Sequence, residues 1–307
     1  MADQRSYTAG KYALDLAGSM SGWIHSVDGA AIKAEVITEK TGGTHVHHKH
    51  IGGVSYEDIS VTMGTSMSKT FYDWVQASVD LQYKRIDNGA IISADFNGKE
   101  MGRINFFNAL ITELGFPAVD STSKDAAKMS VKFTPEYLRH IRKPGAAISG
   151  PLGKGEQKRW SAANFRLELQ NADKACKWVN KFEALTVKQK VVKSQVGELR
   201  DYQIEAANLE RPNLVFTCSD AHADELYQWH EDFVIKGNCT QDKERVGALH
   251  YLGSDLKELF TLEFSGLGIF SLTPEKHEAG SESIKRCKVE LYCEEMKFKA
   301  ASGAIYS

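Results

Sequence analysis

The sequence predicts a mainly β protein with one helix per domain, built as two tandem copies of a small β-sandwich or barrel. Three observations predict it. Short segments alternate apolar and polar residues with a period of two. One segment in each half repeats its apolar residues at helical spacing instead. The two halves also align with one another over most of their length.

The strands come first. Tyr12, Leu14 and Leu16 alternate with Ala13 and Asp15; Ile59, Val61 and Met63 alternate with Ser60 and Thr62; Val131 and Phe133 alternate with Ser130, Lys132 and Thr134. Such alternation puts one face of a strand in a core and the other toward polar surroundings. The second half repeats the pattern in Phe165/Leu167/Leu169, Leu214/Phe216/Cys218, and Val289/Leu291 with Cys293. The helix of the first half follows a cap at Thr65 or Ser66 and runs through Lys69, Phe71, Tyr72, Trp74, Val75 and Val79, with Phe71, Trp74, Val75 and Ser78 on one face. In the second half, Ser219 or Asp220 is the expected cap, and Leu226, Trp229 and Phe233 form the stripe. The predicted helix plugs an open end or covers a face of the β structure.

The alignment of the halves is nearly gapless. Tyr72 falls on Tyr227, Trp74 on Trp229, Val79 on Val234, Ile59 on Leu214 and Val61 on Phe216. KYALDL at 11–16 parallels NFRLEL at 164–169, and Trp23 meets Trp178 after a small insertion. Beyond the helix, Gly89 falls on Gly247, Ile104 on Leu262, Phe106 on Phe264, Ile111 on Ile269 and Val131 on Val289. Residues 1–142 and 160–307 are therefore read as two copies. KPGAAISGPLGKGEQKR, residues 143–159, reads as an exposed linker from its glycines and prolines.

Composition narrows the function. The chain has 307 residues and a formal net charge of −2, with 15 basic against 16 acidic residues in 1–142 and 23 against 24 in 143–307. Neither half has the basic excess of a nucleic-acid binder. The five cysteines all lie in the second half, are odd in number and form no CxxC pair, so they read as reduced thiols of a protein made in the cytoplasm. The N-terminus lacks the pattern of a signal peptide, and no apolar run is long enough for a membrane span or anchor.

Several groups could carry chemistry. His45, His47 and His50, with His48 between them, could gather as metal ligands; a polar loop entering a strand explains them as well, and no metal or other cofactor is expected. Gly42-Gly43 and Gly52-Gly53 permit positive φ and sharp bends, but no phosphate-loop pattern accompanies them. Glu57-Asp58 and Glu294-Glu295 are adjacent acids, which point to opposite faces of a strand and not across a cleft. The aromatic residues Tyr72, Trp74, Tyr227 and Trp229 repeat at helical spacing without interleaved basic residues, which favours core packing over a stacking platform. No catalytic set is expected, and the chain is read as a non-enzyme.

Longer stretches carry a resemblance. KYALDLAGSMSGWIHSVDGA, HKHIGGVSYEDISVTMG, KTFYDWV, FFNALITELGFPAVD and SKDAAKMSVKFTPEY follow one another across residues 8–140. They resemble the tail tube protein family of T4-like phages and of extracellular contractile injection systems. The second half keeps the apolar positions and loses most of these words. The resemblance implies a β-sandwich or barrel of tail-tube type. It also implies a ring-forming homo-oligomer whose stacked rings enclose a cargo lumen inside a contractile sheath above baseplate or spike proteins. The particle would be a phage tail or a phage-tail-like one that can be released outside the cell.

It further implies that His48, His50, Gly52, Gly53, Tyr56, Glu57 and Asp58 belong to a loop that contacts a neighbouring subunit or ring. Two domains per chain depart from the family pattern and allow six chains in two stacked rings or three chains in one pseudo-sixfold ring. The three-chain form resembles a tube-to-baseplate hub or initiator; a cap or terminator adaptor is the other alternative. Free sheet edges are a liability unless paired, and ring closure removes them. The lysines Lys177, Lys181, Lys188, Lys190 and Lys193 give the second copy a different surface, expected to meet a different partner.

Overall fold

The computed structural model describes residues 10–40, 42, 47–142, 145–148, 160–195, 201–276, 284–301 and 305–306. The first half contains β1 (Lys11–Leu16), β2 (Ser19–Gly29), β3 (Ile32–Glu39), β4 (His48–Tyr56), β5 (Ile59–Met63), β6 (Met67–Ser68), α1 (Lys69–Val79), β7 (Ile86–Ala94), β8 (Glu100–Phe116), β9 (Val119–Asp120), β10 (Met129–Thr134) and β11 (Tyr137–Ile141). The second contains β12 (Phe165–Leu169), α2 (Asp173–Cys176), β13 (Val179–Phe182), β14 (Leu185–Ser194), β15 (Gln203–Glu210), β16 (Leu214–Ser219), α3 (Asp224–His230), β17 (Arg245–Leu252), β18 (Glu258–Pro274), β19 (Arg286–Ala300) and β20 (Ile305–Tyr306).

In the first half six strands close into a barrel in the order β10-β5-β2-β1-β7-β8, with β8 returning to β10. The predicted alternation supplies its filling: Leu14, Leu16, Ile59, Val61, Met63, Val131 and Phe133 are all buried. Burying each such side chain contributes roughly 1.5–3 kcal/mol. A tight turn joins β1 to β2, where Ala17 and Gly18 both take positive φ and the Gly18 amide donates to the Asp15 carboxylate.

The helix α1 begins at Lys69, later than the expected cap implies, and buries the predicted face of Phe71, Trp74, Val75 and Ser78. Its cap is Ser68, whose hydroxyl accepts the Phe71 amide at 3.3 Å, and not Thr65 or Ser66. The chain reaches the helix as the short strand β6, which pairs with β20, so the cap falls where that strand ends. In the second half the helix is broken. A 3-10 turn at Asp220–His222 precedes α3, and a wider π turn at Glu231–Ile235 follows it. The cap is Ala223, with no side-chain bond. Asp220 is engaged elsewhere: it accepts from the Tyr227 hydroxyl at 2.8 Å and pairs with Lys285 at 2.9 Å. The predicted stripe of Leu226, Trp229 and Phe233 is buried all the same.

Strand pairing in the second half repeats that of the first. Met129 faces Met63 and Cys287 faces Cys218; Gly89 faces Phe106 and Gly247 faces Phe264; Ser130 faces Gly115 and Lys288 faces Thr273. The hairpins β3–β4 and β14–β15 share a register and also a bulge, at Ala34/Val36 and at Gln189/Val191. One difference is topological. The second sheet, β12-β17-β18-β19-β16-β13-β9, does not close, because β12 and β13 do not pair with each other among the described residues. The small insertion before Trp178 folds as α2, which packs on β12, β16 and α3 where the first half has its tight turn.

The halves are joined edge to edge. β14 pairs with β8 through Leu185–Phe116, Thr186–Gly115, Val187–Leu114 and Lys188–Glu113. In exchange, β9 pairs with β13. One apolar core runs through both: Tyr72 of α1 stacks on Phe298 at 6.0 Å, and Phe298 lies against Phe116 and Phe260. The described part of the predicted linker is docked: Ala147 bridges to Lys99, and the amides of Gly145 and Ile148 donate to Glu100 and Gly98.

Candidate assembly interface

The seam between the halves shows how such units associate. The β14–β15 hairpin lies along the free flank of β8, past the point where β7 ends. Its apolar side is covered there: Leu185, Val187 and Ile204 are fully buried. Polar groups fasten its far end. The Ile204 amide donates to the Glu136 carboxylate at 3.2 Å, and the Ile204 carbonyl accepts from Arg85 at 2.7 Å. Arg85 also pairs with Glu205 at 2.8 Å. Glu136 is itself buried and accepts from Asn108 at 2.6 Å.

A second cluster sits beside the first. The Tyr56 amide donates to the Tyr202 hydroxyl at 2.9 Å, and the Tyr56 hydroxyl donates to Asp201 at 2.6 Å. Arg139 reaches both Tyr56 and Asp201. Burial, and then the bond to Asp201, raise the Tyr56 hydroxyl above its ordinary range, so it remains a donor at neutral pH.

The corresponding hairpin of the first half, β3–β4, pairs with no other strand among the described residues. Every residue of β3 is exposed, and Ile32, Val36, Ile37 and Ile51 present apolar side chains to solvent. Four apolar residues on an uncovered two-stranded ribbon are unusual for a finished surface.

The predicted contact residues divide accordingly. His48, His50, Gly52 and Gly53 lie on β4 of the exposed hairpin. Gly52 and Gly53 hold no left-handed bend, contrary to the expectation; they continue a strand, and the bare Cα of Gly52 leaves room for the Ile37 side chain. Tyr56 is buried in the seam within the chain. Glu57 pairs with Lys33 at 3.4 Å and accepts the Ala31 amide. Asp58 accepts from Thr134 at 2.7 Å and pairs with Lys132. These two acids brace the base of the hairpin.

The histidines do not converge. His47, His48 and His50 are exposed, and His50 lies 4.0 Å from Glu39. His45 lies outside the described residues. Among the described residues no three or more His, Cys, Asp or Glu side chains gather as metal ligands. Of the second half's lysines, Lys188 faces Glu113 in the seam register and Lys190 pairs with Glu210, so both are engaged within the chain. Sequence reasoning missed Arg85, Glu136, Asp201, Tyr202 and Ile204. The one signal was the alignment itself, which places Ile204 opposite Lys49 and marks an apolar residue where the first copy has a charged one.

Comparison with known proteins finds likenesses to part of the chain. Residues 8–139 match the family model of the T4-like virus tail tube protein gp19. Among solved structures, the tube-terminating cap of the anti-feeding prophage is 19% identical, with a TM-score of 0.40, over 46% of this chain and 95% of that one. The sheath/tube terminator of the PVC extracellular contractile injection system is 19% identical, with a TM-score of 0.39, over 45% of this chain and 99% of that one. Hcp1 from the E. coli EAEC 042 pathovar is 15% identical, with a TM-score of 0.28, over 46% of this chain and 94% of that one. These likenesses are distant and span less than half of this chain. No curated protein sequence matches it.

Proposed function

We propose, from the match of residues 8–139 to the T4-like tail tube family model, that the whole chain is a structural protein of the inner tube of a contractile, phage-tail-like injection machine. It is a tandem duplication whose two domains, 1–142 and 160–307, stand side by side in one ring layer. The observation that carries this reading is the β14–β8 seam, which makes one sheet of strands from both halves, while the matching β3–β4 hairpin pairs with no further strand among the described residues. A heterologous contact of this kind propagates from copy to copy, and gives a ring where its rotation closes. Three chains then supply the six domains of a tail-tube layer around a cargo lumen, where six chains of a single-domain subunit would. Sheath lies outside such a ring, and further rings or baseplate proteins lie above and below. The protein performs no turnover; it supplies a wall and strong lateral contacts.

Negative-stain images of the purified chain test this directly. Annular particles or short tubes with a central hole are expected. Compact particles without a hole at high concentration would sink it.

A second reading, a baseplate adaptor or tube terminator, is favoured by one observation. The second sheet is open between β12 and β13, and α2 packs on β12 and β16 where the first half has a tight turn, so the two domains differ in outer surface. Antibody labelling of intact particles separates the readings: a tube protein is labelled along its length, and an adaptor or terminator at one end.

A further inference from the structure

We propose that chains join head to tail through one specific seam: the β3–β4 hairpin of one copy lies on the free flank of β18 in a second copy. The inference rests on the ring-forming reading above and names the surfaces that close the ring.

The seam within the chain is the template. β14 covers Glu113–Phe116 of β8. The same places in the second half are Ser271–Pro274 of β18, as the shared pairing with β10 and β19 shows: Ser130 faces Gly115, and Lys288 faces Thr273. One flank of Ser271–Pro274 is bound to β19. On the other flank β17 ends at Arg245 opposite Leu267, and no strand follows among the described residues.

Both surfaces are uncovered where their counterparts are covered. On the hairpin, Ile32 is 44% exposed and its counterpart Val187 is 2% exposed. Lys49 is exposed, and its counterpart Ile204 is fully buried. On the receiving flank, Pro274 and Glu294 are exposed, and their counterparts Phe116 and Glu136 are buried. Phe270 adds a further exposed aromatic ring beside this flank.

The register transfers over the exposed end of the hairpin: Lys33 faces Ser271, Ile32 faces Leu272 and Ala31 faces Thr273. It stops at Ala30, which is buried at positive φ with its carbonyl held by His140 at 3.0 Å and so stays within its own chain. Pro274 has no amide hydrogen, so the donors of the new ladder come from its other residues. The charges are complementary at the far end. Where the Glu136 carboxylate holds the Ile204 amide within the chain, Glu294 stands opposite Lys49, adding an ion pair between copies that the internal seam lacks. The partner this surface fits is therefore a second copy of the same chain.

The test is a disulfide across the seam in the full-length protein. Directly opposed strand residues hold their Cβ atoms about 4.5–5.5 Å apart, within reach of a bridge after small adjustment. Ala31→Cys with Thr273→Cys, in a background carrying Cys239→Ser, is expected to give covalent oligomers on mild oxidation that end in one discrete closed species. Either cysteine alone gives no such ladder. Ile32→Asp is expected to abolish assembly and leave the circular dichroism spectrum and melting temperature of the single chain unchanged. Rings of the double-cysteine variant that yield no crosslink on oxidation, or rings that survive Ile32→Asp, overturn this seam and leave the ring function standing. Absence of rings in the unmodified protein overturns the ring function itself.

Discussion

The Ile204 amide reaches the Glu136 carboxylate at 3.2 Å across the junction of the two halves. Glu136 is buried, Ile204 is buried, and the same carboxylate accepts from Asn108. Glu136→Ala leaves the Ile204 amide and the Asn108 amide without their acceptor inside the protein. Leaving a buried donor unsatisfied costs about 1–3 kcal/mol. A urea titration is expected to show that loss as a lower midpoint at unchanged slope. Glu136→Gln, which keeps an acceptor oxygen, is expected to lose less. Equal stability of the alanine variant would mean that water replaces the carboxylate.

This junction was the part least legible in the sequence. Alternation gave the strands, because Leu14, Ile59 and Val131 face the core of their own barrel and only local period matters. The aromatic stripe gave α1 for the same reason. The cap was misplaced by two residues because Met67 and Ser68 pair with a strand from the far end of the chain, which no local pattern reports. Glu136 and Ile204 are distant in sequence, and each looks ordinary there: an acid before a strand and an isoleucine among polar residues. Only the docked hairpin gives them meaning. The alignment likewise showed an insertion before Trp178 but not that it would hold the second barrel open.

Tyr72 and Phe298 belong to different halves and stack at 6.0 Å with their rings 9° from parallel. An aromatic pair is worth about 0.5–1.5 kcal/mol beyond the area it buries. A double-mutant cycle with Tyr72→Leu and Phe298→Leu is expected to return a coupling of that size. It is also expected that both halves unfold in one transition, with tryptophan fluorescence and far-ultraviolet circular dichroism coinciding. A coupling near zero with two separate transitions would show that the halves fold independently despite the shared core.

Gly89 and Gly247 hold corresponding places, each at a strand crossing with no room for a side chain. A Cβ on Gly89 would lie 2.2 Å from the Phe106 ring and 2.8 Å from the Asp15 carbonyl oxygen. On Gly247 it would meet Leu169 at 2.6 Å and the Glu168 carbonyl oxygen at 2.7 Å. Backbone cannot swing aside as a flexible side chain can. Gly89→Ala and Gly247→Ala are each expected to cost about 1–3 kcal/mol through overpacking. Gly53→Ala, which meets nothing within 4 Å, is the control and is expected to stay within about 0.5 kcal/mol of the parent. Denaturant midpoints of the three variants measure the contrast.

The thiols make the last prediction, and its sign follows from burial. Cys218 and Cys287 face one another in register with their Sγ atoms 3.4 Å apart and are fully buried, whereas Cys239 is exposed. Burial pushes the Cys176 and Cys293 thiols up to about 12 from an ordinary 9.0. Thiolates are the reactive form, so one thiol per native chain, Cys239, is expected to react quickly with a maleimide at pH 8, and Cys239→Ser to remove that reaction.

In the unfolded chain Cys176 and Cys293 ionise near 9, and in the folded chain they hold their protons until about 12. Their contribution to stability is therefore complete below about pH 9 and is lost as the pH rises toward 12, because the unfolded state gives up protons that the folded state retains. The buried tyrosines Tyr72 and Tyr251 are raised by burial and act in the same direction, so the wild-type slope alone cannot isolate the thiols. Urea midpoints between pH 9 and pH 11 are expected to fall less steeply in the Cys176→Ala, Cys293→Ala variant than in the wild type. Identical slopes would show that these two thiols are ionised in the folded protein as readily as in the unfolded one.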